Sequence, residues 1–320
     1  MPIRKQEVQP LENVVSDRKK LREKSRRVFV SIKQNKTAYL MILPFMLFFT
    51  AFTIVPVVMS LPIGFTDFNM VKFPEFVGLS NYSALFLSDR IFIKSIRVTL
   101  ISAIFTGPLS YVMCFLLAWF INEMPKRLRS VFTLIFYIPS MTSVYTVWKI
   151  IFSGDSHGWL NSFLLEAGLV TAPVQWLTDG SHVLFVSIAV QMYISLGTGF
   201  LAMSAGFRNI DRSWYEAGAI EGIKNRWQEL VYITIPAMAP QMMFAAVMQI
   251  VSAFAAGTVS RDLLGFPSTD YNAHTIMDHA YDYGWIRYEM GYASAICLIL
   301  FVVMYFLNRL VGRLLGRYMN

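Results

Sequence analysis

Six stretches of this sequence run for eighteen residues or more without a charge: 39–63, 98–121, 131–148, 183–206, 233–258 and 290–308. An uncharged apolar run of roughly 18 residues or more is the mark of a helix that crosses a membrane. At about 1.5 Å per residue, such a run reaches across roughly 30 Å of hydrocarbon. Lipid offers no hydrogen bonds, so each segment must pair its own backbone, and a helix does so internally. A hydrophobic share of 55% agrees with this reading. The expectation is an all-α, polytopic membrane protein with six transmembrane helices.

Lysine and arginine give the orientation, because they concentrate on the cytoplasmic side. Of 28 such residues, twenty-one lie before the first stretch, after the second, after the fourth or after the sixth. Six lie on the opposite side: Lys72, Arg90, Lys94, Arg97, Arg261 and Arg287. Lys149 sits at a stretch end, where its stem can snorkel. Both termini are therefore expected in the cytoplasm. Residues 1–35 read as a basic cytoplasmic tail, and 36–320 as the transmembrane domain. The run 39–63 is longer than a signal-peptide core and reads as a retained first span. A net charge of +8 is placed for topology and anionic lipid rather than for nucleic acid. Cys114 and Cys297 fall within apolar stretches and read as packing residues.

The loop between the fourth and fifth stretches reads Glu216-Ala217-Gly218, then Gly222, Ile233 and Pro236. Asp211 is placed to cap a helix over 212–221. Gly222 can take a positive φ and end it. Trp214, Ala217 and Glu221 then share a face, and Ala217 and Gly218 leave room for a partner surface. Pro236 and Pro240 suit the first turn of the next span. The result is a compact cytoplasmic knob within about 207–235.

This segment resembles the EAA loop of permease subunits of binding-protein-dependent ABC importers. Glu216, Ala217, Gly222, Ile233 and Pro236 hold the pattern's marked positions. Gly218 stands where the pattern has a second alanine, and one extra residue separates Gly222 from Ile233. Phe76-Val77-Gly78-Leu79-Ser80-Asn81-Tyr82 resembles the FVGL-x-NY segment of the larger-type sugar permeases in that family. The likeness covers nearly all of the chain after residue 35. It implies half of a heterodimeric pore, with a second permease subunit, two ATPase subunits and an extracytoplasmic solute-binding protein. It also implies a bacterial inner (cytoplasmic) membrane, carbohydrate cargo and alternating access. In this reading Glu216, Ala217, Gly218, Glu221, Gly222 and Pro236 form the ATPase contact.

No G-x-x-x-x-G-K-[ST] phosphate loop occurs in the sequence. ATP and magnesium are thus expected on the partner subunits, with no cofactor in this chain and no enzymatic site of its own. The six stretches hold no acid or base for ion coupling. Candidate sugar-path residues are Gln191, Tyr193, Ser195 and Thr198, then Gln241, Gln249 and Ser252, and finally Ser294. Amides and hydroxyls answer sugar hydroxyls, and rings answer the apolar sugar face. The competing use of these side chains is bonding between helices.

Residues 259–289 carry Tyr271, Tyr281, Tyr283 and Trp285, as expected of a belt at the membrane surface or of a contact with a binding protein. His274, Asp278, His279 and Asp282 there read as a solvated polar loop, with metal ligation a weak alternative. The overall expectation is a sugar-importer permease. The alternatives are a permease for a non-carbohydrate solute, or a carrier or channel without an ATPase.

Overall fold

A computed structural model describes residues 35–141 and 145–319. They fall into two compact units divided after Ser60. The expected basic tail, apart from Asn35, lies outside the described residues. The first long helix, α1, runs from Lys36 to Ile63 and contains one wide π turn at Thr50–Ile54. No residue of it is buried within the chain. A helix that is apolar on every side suits lipid or a protein interior rather than water.

Beyond it the described residues are mainly helical. The elements are α2 (Ser80–Leu87), α3 (Arg90–Glu123), α4 (Lys126–Met141), α5 (Tyr145–Ile151) and α6 (Trp159–Glu166). They continue with α7 (Val183–Asn209), α8 (Arg212–Ile220), α9 (Arg226–Ala237) and α10 (Ala239–Phe254). The last three are α11 (Gly257–Leu264), α12 (Ile276–Tyr281) and α13 (Met290–Met319). A single antiparallel bridge, Thr66 with Phe76, is the one sheet-like feature among the described residues.

Helices α3 and α7 form the centre, with α10 against both. The buried face of α3 is a stripe of small residues: Ser95, Thr99, Ser102, Thr106 and Ser110. Small side chains let helix backbones approach closely, which is how helices associate where lipid removes the hydrophobic drive. Their hydroxyls are satisfied largely within the helix. Thr106 donates to the Ser102 carbonyl at 2.7 Å, and Ser110 donates to the Thr106 carbonyl. Larger side chains close the contact further along, where Cys114, Leu196, Phe200, Met203 and Met238 pack together. A second cluster joins Leu85, Phe92, Phe254, Ile276 and Ile296.

Four helices, α1, α3, α7 and α13, are each long and apolar enough to cross a membrane. They contain four of the six expected stretches. The fifth stretch is not one straight helix. α9 and α10 meet at a bend of 77° around Met238. Pro236 and Pro240 lack the N–H groups that would carry the helical ladder across this join. The apolar run to residue 258 is also cut short, since α10 stops at Phe254 and α11 begins at Gly257. Counting the bent pair gives five spans among the described residues. The stretch 131–148 falls on α4 and α5, and residues 142–144 between them lie outside the described residues.

Candidate coupling loop and translocation path

The loop after α7 folds into two short helices. Asp211 caps α8, its carboxylate accepting the Ser213 N–H at 3.0 Å. That bond holds the Asp211 carboxyl below the usual range. The helix ends where Gly222 takes φ +97°, in the left-handed region that a side chain disfavours. Asn225 then caps α9 by accepting the Gln228 N–H at 2.8 Å. The Tyr215 and Thr234 hydroxyls, 2.9 Å apart, fasten one helix to the other.

Within this knob Glu216, Ala217, Glu221, Gly222 and Pro236 are exposed. Among the described residues Glu216 pairs with Arg212 at 3.7 Å, and both side chains are largely solvated. An exposed pair of this kind is weak, so its carboxylate remains open to a partner. Gly218 has a different role from the one its size suggested. It is buried, and a Cβ there would meet Ile233 Cδ1 at 2.6 Å and Ile223 Cδ1 at 3.1 Å. The missing side chain makes room for this chain's own isoleucines, and not for an external surface.

The knob is joined to the end of α3. Arg226 reaches Glu229 at 2.8 Å and Glu123 at 3.6 Å, and the Trp119 and Trp227 rings lie 5.6 Å apart. A cleft of about 380 Å³ lies between these elements, lined by Trp119, Glu123, Tyr215, Glu216, Arg226 and Thr234.

Four of the eight polar residues expected along a path fall into two bonded pairs. Gln191 donates to the Ser252 carbonyl at 2.9 Å, and Gln249 donates to the Ser195 carbonyl at 2.9 Å. The Ser195 hydroxyl lies 2.8 Å from that of Ser110. These bonds stitch α7 to α10 and α3, the competing use anticipated for such side chains. Tyr193 stands apart from both pairs, edge-on to Trp148 at 5.3 Å. Thr198 is exposed, while Gln241 and Ser294 are half-buried. The Oε1 atoms of Gln241 and Gln249 are buried without a partner among the described residues.

Residues 259–289 are not a solvated loop. His274, Asp278 and His279 are each about 1% exposed. His279 Nε2 lies 2.9 Å from Asp89 Oδ2, and its Nδ1 lies 3.3 Å from His274 Nε2. One tautomer satisfies both contacts: each Nε2 donates, His274 to His279 and His279 to Asp89. Asp89 also accepts from Tyr283 and Tyr292 at 3.3 and 3.1 Å and caps α3 through Phe92 N. Burial favours the neutral Asp89 carboxyl, but the Phe92 N–H and His279 outweigh it and leave its pKa lowered.

Beside this group, Arg261 contacts Asp278 at 3.1 Å, and Thr275 and Asp278 form a reciprocal cap on α12. Burial pushes the Asp278 carboxyl up to about 6, against its Thr275 and Arg261 donors. No group of three or more His, Cys, Asp or Glu side chains suited to a metal ion occurs among the described residues. The sequence missed this cluster because its members lie 190 positions apart.

The chain is similar to known transport subunits. It is 29% identical over 280 residues to the probable ABC transporter permease protein YesP of Bacillus subtilis, covering 85% of this chain and 87% of that one. It is 27% identical over 283 residues to the arabinooligosaccharides transport system permease protein AraP of Bacillus subtilis, covering 88% of each. Its fold matches a chain in the crystal structure of a bacterial ABC transporter that imports the acidic polysaccharide alginate. That match has a TM-score of 0.72 at 25% identity and covers 90% of this chain and 99% of the other. Residues 111–319 match the family profile itself, and the chain belongs to the binding-protein-dependent transport system inner membrane components.

Proposed function

We propose that this chain forms one half of the pore of an ATP-driven carbohydrate importer and takes its energy from a separate ATPase through α8. The observation that carries this is the capped, glycine-bent knob of residues 211–236, with Glu216 and Ala217 exposed on it. A relative named for arabinooligosaccharides and a fold match to an alginate importer support sugar as cargo. Six spans would place both termini in the cytoplasm, the sixth being formed by α4 and α5. In this reading residues 1–35 are a cytoplasmic tail, and 36–320 the transmembrane domain.

ATP and magnesium are held by two ATPase subunits, a homologous permease completes the pore, and a binding protein delivers the solute. Closure of the ATPase pair pushes both knobs together. The join of α9 to α3 through Arg226, Glu123 and the two tryptophans passes that push into the helices. Gln191, Tyr193, Ser195, Gln249 and Ser252 are the proposed path residues. Breaking and remaking their interhelical bonds would accompany opening. Purification of the tagged chain in mild detergent, followed by identification of its companions, tests this reading. Recovery with an ATPase, a second permease and a sugar-binding protein is the expected result. Repeated recovery alone would overturn it.

A further inference from the structure

We propose that the hairpin between α1 and α2, residues 65–77, is a membrane-surface wedge whose apolar tip sits among lipid headgroups. Its apolar side chains are open to an unusual degree, with Val71 86% and Phe73 95% exposed toward the tip and Phe76 81% exposed beside the base. Large apolar side chains grouped so openly mark a contact surface. The hairpin that presents them is firmly built. Val77 N–H donates to the Phe65 carbonyl at 2.9 Å, and Asp67 N–H donates to the Glu75 carbonyl at 3.1 Å. Asn69 Oδ1 accepts the Val71 and Lys72 N–H groups and folds the turn.

The base of the hairpin fixes its depth. Asn81 donates to the Gly64 and Thr66 carbonyls at 3.1 and 2.8 Å. Gly291 N–H, in the first turn of α13, donates to the Phe68 carbonyl at 2.9 Å. A side chain on Gly291 would collide with the Thr66 carbonyl, so the hairpin backbone lies directly on that turn. α13 is one of the helices able to cross a membrane, and its apolar span begins at Met290. The anchored base is therefore level with the membrane boundary. Aromatic side chains gather at this depth. The choice of lipid as the occupant rests on that depth, set by the contact with Gly291 at the start of the α13 span, and not on the identity of the transported solute.

The test is spin labelling of Val71→Cys, Phe73→Cys and Phe76→Cys in turn, in the full complex with Cys297→Ser. The vesicles contain phosphatidylethanolamine and phosphatidylglycerol. Cys114 is buried and stays in place. Labels at all three positions should relax faster with oxygen than with a water-soluble nickel chelate. A label on Ser156→Cys, in the exposed loop before α6, should do the reverse. Three separate positions guard against one substitution failing to fold. Nickel-accessible labels at 71, 73 and 76 would overturn the proposal. So would labels that lose nickel access only when the binding protein is added, which would make the tip a protein-docking surface.

Discussion

Asp89 and His279 lie 190 residues apart in sequence and 2.9 Å apart in the fold. Their contact ties the first turn of α3 to α12, and His274 extends it by one further hydrogen bond. Asp89 therefore acts both as a helix cap and as the acceptor for a buried imidazole.

Asp89→Ala should destabilise the protein by about 2–4 kcal/mol, combining a lost cap of about 1 kcal/mol with an unpaired buried N–H. Asp89→Asn retains an oxygen for the cap and should lose less. Thermal unfolding in detergent measures both. Equal losses would show that the cap is not a separate contribution.

Acid should weaken the fold through the histidines. Burial pushes His274 down to about 4, and the neighbouring His279 adds to this. Burial also lowers His279, against the pull of Asp89. Both imidazoles are thus neutral when folded, and the unfolded chain takes up protons more readily. Their contribution is complete above about 6.5 and is lost as pH falls toward about 4. Asp278 opposes this trend, since the fold keeps a proton there up to about 6 that the unfolded carboxyl releases earlier. His274→Gln preserves an N–H donor but cannot titrate. Its melting temperature should fall less than the parent's between pH 7 and 5, and parallel curves would reject the assignment.

Gly218→Val should reduce uptake while the protein still reaches the membrane, because its side chain meets Ile233 and Ile223. Overpacking of this kind costs about 1–3 kcal/mol. Ile233→Ala combined with Gly218→Val should restore part of the uptake. Gly218→Ala should be milder, since the nearest atoms are the flexible ends of isoleucines. If the double variant is no better than Gly218→Val, the close approach does not govern this position.

Gly222→Pro and Glu216→Lys should both lower transport with little change in the amount of assembled protein. The first cannot adopt φ +97°, and the second reverses the charge presented by α8. Uptake is compared with surface amount. Normal uptake by both variants would refute energy coupling through the knob.

Gln249→Leu separates packing from solute contact. The Nε2 bond to Ser195 joins two helices, and such a bond is worth roughly 0.6–2 kcal/mol in membranes. Lower thermal stability with unchanged KM would assign Gln249 to packing. A raised KM with normal stability would assign it to the path.

The uncharged runs made four crossing helices legible, because membrane helices answer to length and apolarity alone. The knob was legible for a different reason. Capping by Asp211 and termination at Gly222 are local backbone requirements, written within a dozen residues. The bend around Met238 was less so, since Pro236 and Pro240 each suit a first turn and only their placement on either side of one join breaks the helix.

Gly218 and His274 mark where local reading fails. The reason for a glycine at 218 is Ile233, fifteen positions on, and nothing in the spacing indicates which surface it faces. His274 and Asp278 look like a polar loop until α3, α11 and α13 close around them. The same holds for Gln191 and Gln249, whose partners Ser252 and Ser195 lie on other helices. By itself the sequence determined what is set by the chain's immediate neighbours and by the solvent: the long apolar helices and the caps. The tertiary structure decided which polar groups are buried and what they bond, because burial and pairing depend on segments that meet only after the helices pack.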